Sequence, residues 1–446
     1  MPLTALPELA NLHADGGVRI PPGTTVPLTH RVRRLLDTAP LRRLASVRQL
    51  GLVSLVYPGA VHSRLEHSLG VYRLALDFLM SLQHDERFCA QVTSEDAAAF
   101  IVAALLHDIG HWPYCHPMED MGLEGMPRHE TLMQTILATS ELGSLLREDW
   151  GLSVDRLAGL ILGTATDPAG RILASLLSGP IDVDKMDYLA RDSLHAGVPY
   201  GRHFDQDRLL ASLCLDASGQ ALAITDKGRT AAELMVFARY VMFSEVYWHH
   251  AVRAATAMLQ RAVWLCRDSI APEALVQTDE AEFVSLLTAS ADSGPARHLL
   301  EGLFGSRRRL YKRAAAFDAG AHPELHTALA GLPYERLATA SDRLAESLSQ
   351  TTGRSVPCGS LIIDAPPAER EIEFRLQVRG RHGATGKVRW QTLADVSPVT
   401  QALAHRQFDS LVKQVRLFVR DDVVETIQNA TGLEEQLLEA GRSVTR

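Results

Sequence analysis

The chain carries four segments whose residue types and spacing could do chemistry. The apolar run Ala99 to Leu106 leads straight into His107-Asp108-Ile109-Gly110-His111, followed by Trp112-Pro113-Tyr114-Cys115-His116. An imidazole beside a carboxylate at the end of a buried helix is costly unless both are satisfied. A divalent cation offsets that cost because it supplies charge to both ligands. A second segment, His62-Ser63-Arg64-Leu65-Glu66-His67, opens another helix. A third, Ile181 to Asp192, places Asp184, Tyr188 and Asp192 on one helical face by their four-residue spacing, with Lys185 alongside. The fourth is the pair His129-Glu130. Taken alone, each has a bland reading: Asp108 caps a helix, His107 bonds a carbonyl, and a single helical His is a satisfied structural group. Taken together, two imidazoles and two carboxylates make a mixed N/O shell. Such a shell suits Mn, Fe, Ni, Co or Zn better than the all-oxygen coordination of Mg or Ca, and it leaves positions for water or a phosphoryl oxygen.

The elements that must position these residues are helical. From about residue 30 to 350, segments rich in Leu, Ala, Arg and Glu show apolar residues at three- and four-residue spacings between Gly/Pro breaks. The pattern predicts helices over His67 to Leu82, Glu95 to Leu106, Glu130 to Leu146 and Val154 to Leu162, and one long helix over Thr230 to Arg267. After Gly353 the texture changes, and Ser360 to Asp364, Ile372 to Val378 and Lys387 to Leu393 read as short strands. The expected division is an arm over 1–29, with an extended stretch at Pro21 to Thr29, a helical core over 30–350 and a small α+β region over 351–446.

Composition narrows the partners. The 446 residues carry a formal net charge of −8, so the global field favours small molecules over nucleic acid. Arg31, Arg33, Arg34, Arg42, Arg43 and Arg48 form one basic group, and Arg307, Arg308, Arg309, Lys312 and Arg313 another. They read either as solvated helix faces or as phosphate sites at an oligomer interface. Aromatics make up only 6% and do not interleave with the basic groups, which removes the stacking platform of a single-strand binder. No signal peptide and no run of ~18 apolar residues is present, so no membrane partner is expected. Five widely spaced cysteines without a C-x-x-C point to reduced thiols and a cytoplasmic protein.

Arg48-Gln49-Leu50-Gly51, Tyr57-Pro58-Gly59-Ala60, Ser63-Arg64-Leu65-Glu66-His67-Ser68-Leu69-Gly70-Val71, Leu106 to His111, His129-Glu130 and Ile181 to Asp192 resemble, in order, the HD superfamily. The likeness is to its deoxynucleotide triphosphohydrolase branch, which includes bacterial dNTPases and animal proteins joining a sterile-alpha-motif domain to an HD domain. The likeness covers roughly residues 30 to 260. It implies a mainly α fold, an HD helical core with a small α+β C-terminal region. It also implies hydrolysis of a deoxynucleoside triphosphate (dNTP) to deoxynucleoside and inorganic triphosphate. His67, His107, Asp108 and Asp184 would hold a divalent transition metal, with Mg on the substrate phosphates as an addition. Arg64, Lys185 and Arg239 would hold the triphosphate. His129, followed by Glu130, would protonate the departing 5′ oxygen, with His111 near the α-phosphate and His116 close to the substrate. Gln49, Tyr188 and Asp192 would face the sugar and base, and Tyr247 would pack where a 2′ hydroxyl would clash. A regulatory nucleotide and a homo-oligomer, a tetramer among its forms, follow from the same likeness. The sequence departs from the pattern at two places. Glu119 and Asp120 stand where the animal enzymes carry an Asp that orients the catalytic His. Arg42 and Ala45 replace the Gln and Arg of their activator-binding segment, although Asp37 matches. Two alternatives stay open: an HD phosphodiesterase or phosphatase acting on another nucleotide, and a nucleotide-binding sensor with little turnover.

Overall fold

The computed structural model describes residues 3–12, 17–291, 294–367, 376–380, 388–403 and 412–445. Its centre is a helix that could not survive anywhere else. Ser94–Leu106 (α2) is buried at every position from Ala97 to Leu106. A helix that is apolar all round belongs inside a core rather than at its surface. Thr93 and Asp96 cap each other reciprocally at its start, which satisfies donors that the first turn would otherwise leave open. Around it pack Arg64–Leu82 (α1), Val154–Ile161 (α6) and Pro168–Leu177 (α7). Val183–Ala196 (α8) lies on α1.

Between α2 and α6 the chain forms Cys115–Glu119 (α3), His129–Thr139 (α4) and Glu141–Trp150 (α5). The single helix predicted over Glu130 to Leu146 is thus two. Ser140 leaves the helical region at ψ 173 and its side chain caps the second helix through Leu142 N, a local bond that competes with helix continuation. The long helix predicted over Thr230 to Arg267 is also divided. Arg229–Met242 (α9) runs into a wide π turn, Phe243–Tyr247, before His250–Cys266 (α10) begins.

The chain is mainly α, with small sheets. Gly17–Ile20 (β1) and Thr24–Pro27 (β2) form an antiparallel hairpin in the N-terminal arm, where an extended stretch was expected. The arm is tied down by Glu8, fully buried, which accepts from Thr29 Oγ1 and from the Arg31 guanidinium. Leu213–Leu215 (β3) and Leu222–Thr225 (β4) make a hairpin onto which Gln377–Arg379 (β7) and Trp390–Thr392 (β8) add, in the order β3-β4-β7-β8. Lys312–Phe317 (β5) and Leu361–Asp364 (β6) flank Val415–Val419 (β9) in a second sheet. Strands from either side of residue 350 therefore share both larger sheets. Tyr334–Thr352 (α11) packs on the second one and Leu433–Thr445 (α12) packs on α11, contributing Leu344, Leu348 and Leu437 to a core with Leu361, Val415 and Leu417. Residues 372–375 and 387 of the strands predicted from sequence lie outside the described residues. No helix among the described residues is long and apolar enough to cross a membrane, and no disulfide joins the five cysteines.

Because α2 is enclosed on all sides, removing the fully buried Phe100 ring should leave a cavity that cannot collapse. Phe100→Ala is expected to lower the unfolding free energy by about 3–5 kcal/mol, read as a reduced urea midpoint at unchanged m-value.

Candidate functional site

α2 ends by delivering His107 and Asp108 to the floor of a cavity of about 460 Å³. Gln49, Arg64, His107, Asp108, His111, His116, His129, Glu130, Asp184 and Tyr188 line it, with Met133, Ile161, Leu162, Leu177 and Ser178 as an apolar wall. The site is assembled by helix ends. Ser63 caps α1 and starts it at Arg64, Asp182 caps α8 ahead of Asp184, and Arg128 precedes α4 at His129.

Three side chains converge at the cavity floor. His67 Nε2 lies 3.0 Å and His107 Nε2 3.7 Å from Asp184 Oδ1. Their other nitrogens fix the tautomers. His67 Nδ1–H donates to Asp187 Oδ2 (2.8 Å) and His107 Nδ1–H to the Ala104 carbonyl (3.0 Å), which leaves both Nε2 lone pairs for a ligand. His107 Nε2 is buried with no hydrogen-bond partner. The field also calls for a cation. Burial opposes a charged His67, but Asp184 and Asp187 outweigh it and raise the imidazole to about 10. Burial likewise opposes charge on Asp184, yet the His107 and His67 rings hold its carboxyl far below the usual carboxylate range. Two borderline nitrogens and a carboxylate with these tautomers fit a divalent transition metal. Asp108 stands beside them, its Oδ1 3.5 Å from His107 Nε2 and its Oδ2 4.0 Å from His67 Nε2, while Oδ2 also accepts from Arg64 NH1 at 2.7 Å.

On the cavity wall His129 is held by Glu119. Both Glu119 oxygens lie within 3.0 Å of His129 Nδ1, and Oε1 accepts the His129 backbone N–H at 2.6 Å. Burial works against the Glu119 charge, but His116 and His129 hold its carboxyl far below the usual range. The His111 ring is 4.1 Å from that of His129 and 5.0 Å from that of His116. Burial, with Arg64 adding to it, drives His111 well below its usual value, so it stands as a neutral imidazole. Gly110 makes this approach feasible: a Cβ there would lie 2.0 Å from the His129 carbonyl oxygen and 2.7 Å from Met133 N.

Beyond Tyr188 and outside the cavity lining, Tyr247 OH donates to Asp192 Oδ2 (2.6 Å), and His62 Nε2–H donates to Asp192 Oδ1 (2.9 Å). The Tyr188 and Tyr247 rings meet edge to face at 6.4 Å. Burial pushes both hydroxyls up, and Arg239 is the positive charge that opposes it. The Gln49 side-chain oxygen is buried and without a hydrogen-bond partner. The π turn at Phe243–Tyr247 ends on Tyr247, the residue that reaches Asp192. Four residues expected to hold substrate do not line the cavity: Asp192, Arg239 and Tyr247, and Lys185, whose Nζ pairs with fully buried Asp182 at 2.7 Å.

The comparisons with known proteins bear on the same residues. The model of the HD domain matches residues 64–192, and that of the HD-associated region matches 204–438. The chain belongs to the HD family. Its relatives include an uncharacterized protein of Methanocaldococcus jannaschii, 31% identical over 65% of this chain and 57% of that one. Another is the deoxynucleoside triphosphate triphosphohydrolase SAMHD1 of Gallus gallus, 30% identical over 51% of this chain and 42% of that one. The chain spans about half the length of the curated relatives it matches. A crystal structure of a hypothetical protein from Aquifex aeolicus superposes with a TM-score of 0.66 at 25% identity, covering 95% of this chain and 97% of that one.

Several residues of this HD protein's site escaped sequence reasoning. Asp187 and Arg191 were visible only as a repeat of the Asp184–Tyr188 spacing three residues later. Arg43, counted in a basic group, instead donates to the Ile109 (3.0 Å) and His111 (2.7 Å) carbonyls and pins the loop after His107. Others of that group are also engaged: Arg31 lies over the Trp150 ring and Arg48 pairs with Glu280. The apolar wall gave no signal distinguishable from core.

The Glu119 carboxyl, depressed in the folded state, contributes stability above its unfolded value of about 4.5 and loses that contribution as pH falls toward its folded value. Unfolding free energy measured between about pH 5 and pH 3 should therefore fall less steeply in Glu119→Gln than in the unmodified protein. Equal slopes would show that the carboxylate is not held by the two histidines.

Proposed function

We propose that this HD protein is a metal-dependent hydrolase that converts deoxynucleoside triphosphates to deoxynucleoside and inorganic triphosphate. The observation that carries the reading is one cavity lined both by His107, Asp108 and Asp184 and by His129, whose Nδ1 is held by an ionised carboxylate. In this reading His67, His107, Asp108 and Asp184 hold the metal, which is one of Mn, Fe, Ni, Co or Zn. When bound it supplies Lewis-acid polarisation of a phosphoryl oxygen. Arg64, at the mouth of α1, and Arg239 neutralise phosphate charge, and Lys185 joins them by turning from Asp182.

His129 is the general acid. Glu119 accepts a hydrogen bond from its Nδ1–H and stabilises the ring when charged, so Nε2 is the nitrogen that passes a proton to the leaving 5′ oxygen. The neutral His111 ring beside it adds no repulsion, and His116 and Glu130 complete that wall. Gln49, with its unpartnered oxygen, Tyr188 and Asp192 take the sugar and base. The Tyr247 hydroxyl, closed onto Asp192, fills the space of a 2′ hydroxyl. The name of the Gallus gallus relative supports the choice of substrate. A regulatory nucleotide and a homo-oligomer belong to the same reading. Arg308, Arg309, Lys312 and Arg313 line a separate cavity of about 550 Å³ with His250, a setting suited to phosphates.

The Lys185–Asp182 pair favours one second reading. With that cation engaged, fewer charges face three phosphates, as suits a phosphohydrolase acting on another nucleotide.

Incubation with each dNTP, singly and mixed, in Mn or Mg should release deoxynucleoside and triphosphate in one step. Stepwise diphosphate and monophosphate would instead support the second reading, and activity confined to mixtures would reveal the regulatory nucleotide. His129→Ala should keep its metal while kcat falls by about 10²–10⁴, whereas Asp184→Ala should lose metal and turnover together. Full activity in His129→Ala would refute the general-acid role.

A further inference from the structure

α8 carries two polar rows. Asp184 and Tyr188 face the cavity. Three residues later, at the same four-residue spacing, Asp187, Arg191 and His195 run along the helix toward α1. Arg191 closes on Asp187 with two bonds of 2.8 Å, Nε to Oδ2 and NH2 to Oδ1. Its NH1 reaches Glu66 Oε1 at 2.7 Å and the Pro21 carbonyl at 3.3 Å, and Glu66 Oε1 also accepts from His195 Nε2–H at 2.9 Å. The fork therefore fixes the Asp187 carboxylate in one plane with its charge compensated. Asp187 Oδ2 takes the His67 Nδ1 proton at 2.8 Å. Gly70, on the turn of α1 after His67, leaves room for the pair: a Cβ there would fall 1.9 Å from Asp187 Oδ1 and 2.3 Å from Arg191 NH2. His107 has no such backing, since its Nδ1–H meets only the neutral Ala104 carbonyl.

We infer that Asp187, clamped by Arg191 in the space left by Gly70, is a positioning residue that fixes the His67 ring and makes it the stronger of two unequal imidazole donors. The inference rests on the metal-site reading proposed above. A carboxylate on the far nitrogen raises the basicity of a ligating imidazole and locks its rotation, and losing such a partner typically costs about 10–100-fold in metal affinity. A carbonyl does less. The hairpin between β1 and β2 belongs to the same support, because Pro21 takes one of the Arg191 bonds.

The test uses the full chain stripped of metal and titrated with Co(II) against a competing chelator. Affinity, the visible Co(II) absorption spectrum and the melting temperature of the metal-free protein are recorded for each variant. Asp187→Asn is expected to weaken Co(II) binding by about 10–100-fold with an altered spectrum. Gly70→Ala, which leaves every polar group in place but displaces the pair, is expected to do the same. His67→Ala should weaken binding further than His107→Ala. Wild-type affinity and spectrum in Asp187→Asn, with binding lost in His67→Ala, would overturn the positioning role and leave the metal site standing. Wild-type binding in His67→Ala would overturn the metal site itself. A lowered metal-free melting temperature with unchanged affinity would mark Asp187 as merely structural and also overturn the inference. If Asp187→Asn does not fold, Arg191→Lys replaces it: a smaller loss of affinity is expected, and no loss counts against the inference.

Discussion

Burying charge at the end of an apolar helix is the constraint to which the rest of this structure answers. α2 is enclosed over the whole stretch from Ala97 to Leu106, and its next two residues are an imidazole and a carboxylate. Desolvating such groups costs several kcal/mol each unless partners are fixed in place. The surroundings read as the answer. Arg64 comes from the start of α1, Arg43 clamps the loop carbonyls, and Asp184 arrives on α8.

Two positions outside the cavity lining break local rules. Tyr114 adopts a left-handed conformation at φ 56, which β-carbon sterics disfavour, and it stands at the start of the helix that carries His116 and Glu119. The π turn before α10 widens a helix that could have continued. Such turns are rare, and here one ends on the tyrosine that bonds Asp192.

The parts of the fold legible in the sequence were those set by short-range pattern. The limits of α1 and α2 agree with their capping residues and apolar spacing within three residues, and His67, His107 and Asp184 meet as their segments suggested. Illegible were features that depend on what arrives from elsewhere. The apolar three- and four-residue spacing within Thr230 to Arg267 runs on across the π turn, so periodicity does not announce it. Lys185 has the spacing of a phosphate ligand, but Asp182, buried at the head of its own helix, captures it at close range. Strands β3, β4 and β9 went unread because each is short and buried, so none shows the two-residue alternation of a half-exposed strand, and β5 went unread because only Phe317 of it is buried.

The order β5-β9-β6 sets a timetable. β9 lies between its partners and pairs with both, although it follows them in sequence. A ribosome releases chain from the amino terminus, so neither β5 nor β6 can gain its central partner until Val419 has cleared the exit tunnel. Closing long loops before any pairing is repaid makes such a sheet slow to form, and open edges attract other chains in the interval. The strand at the middle of this sheet is therefore the last of its three to be made, whereas every helix packed around α2 precedes all of them in the chain.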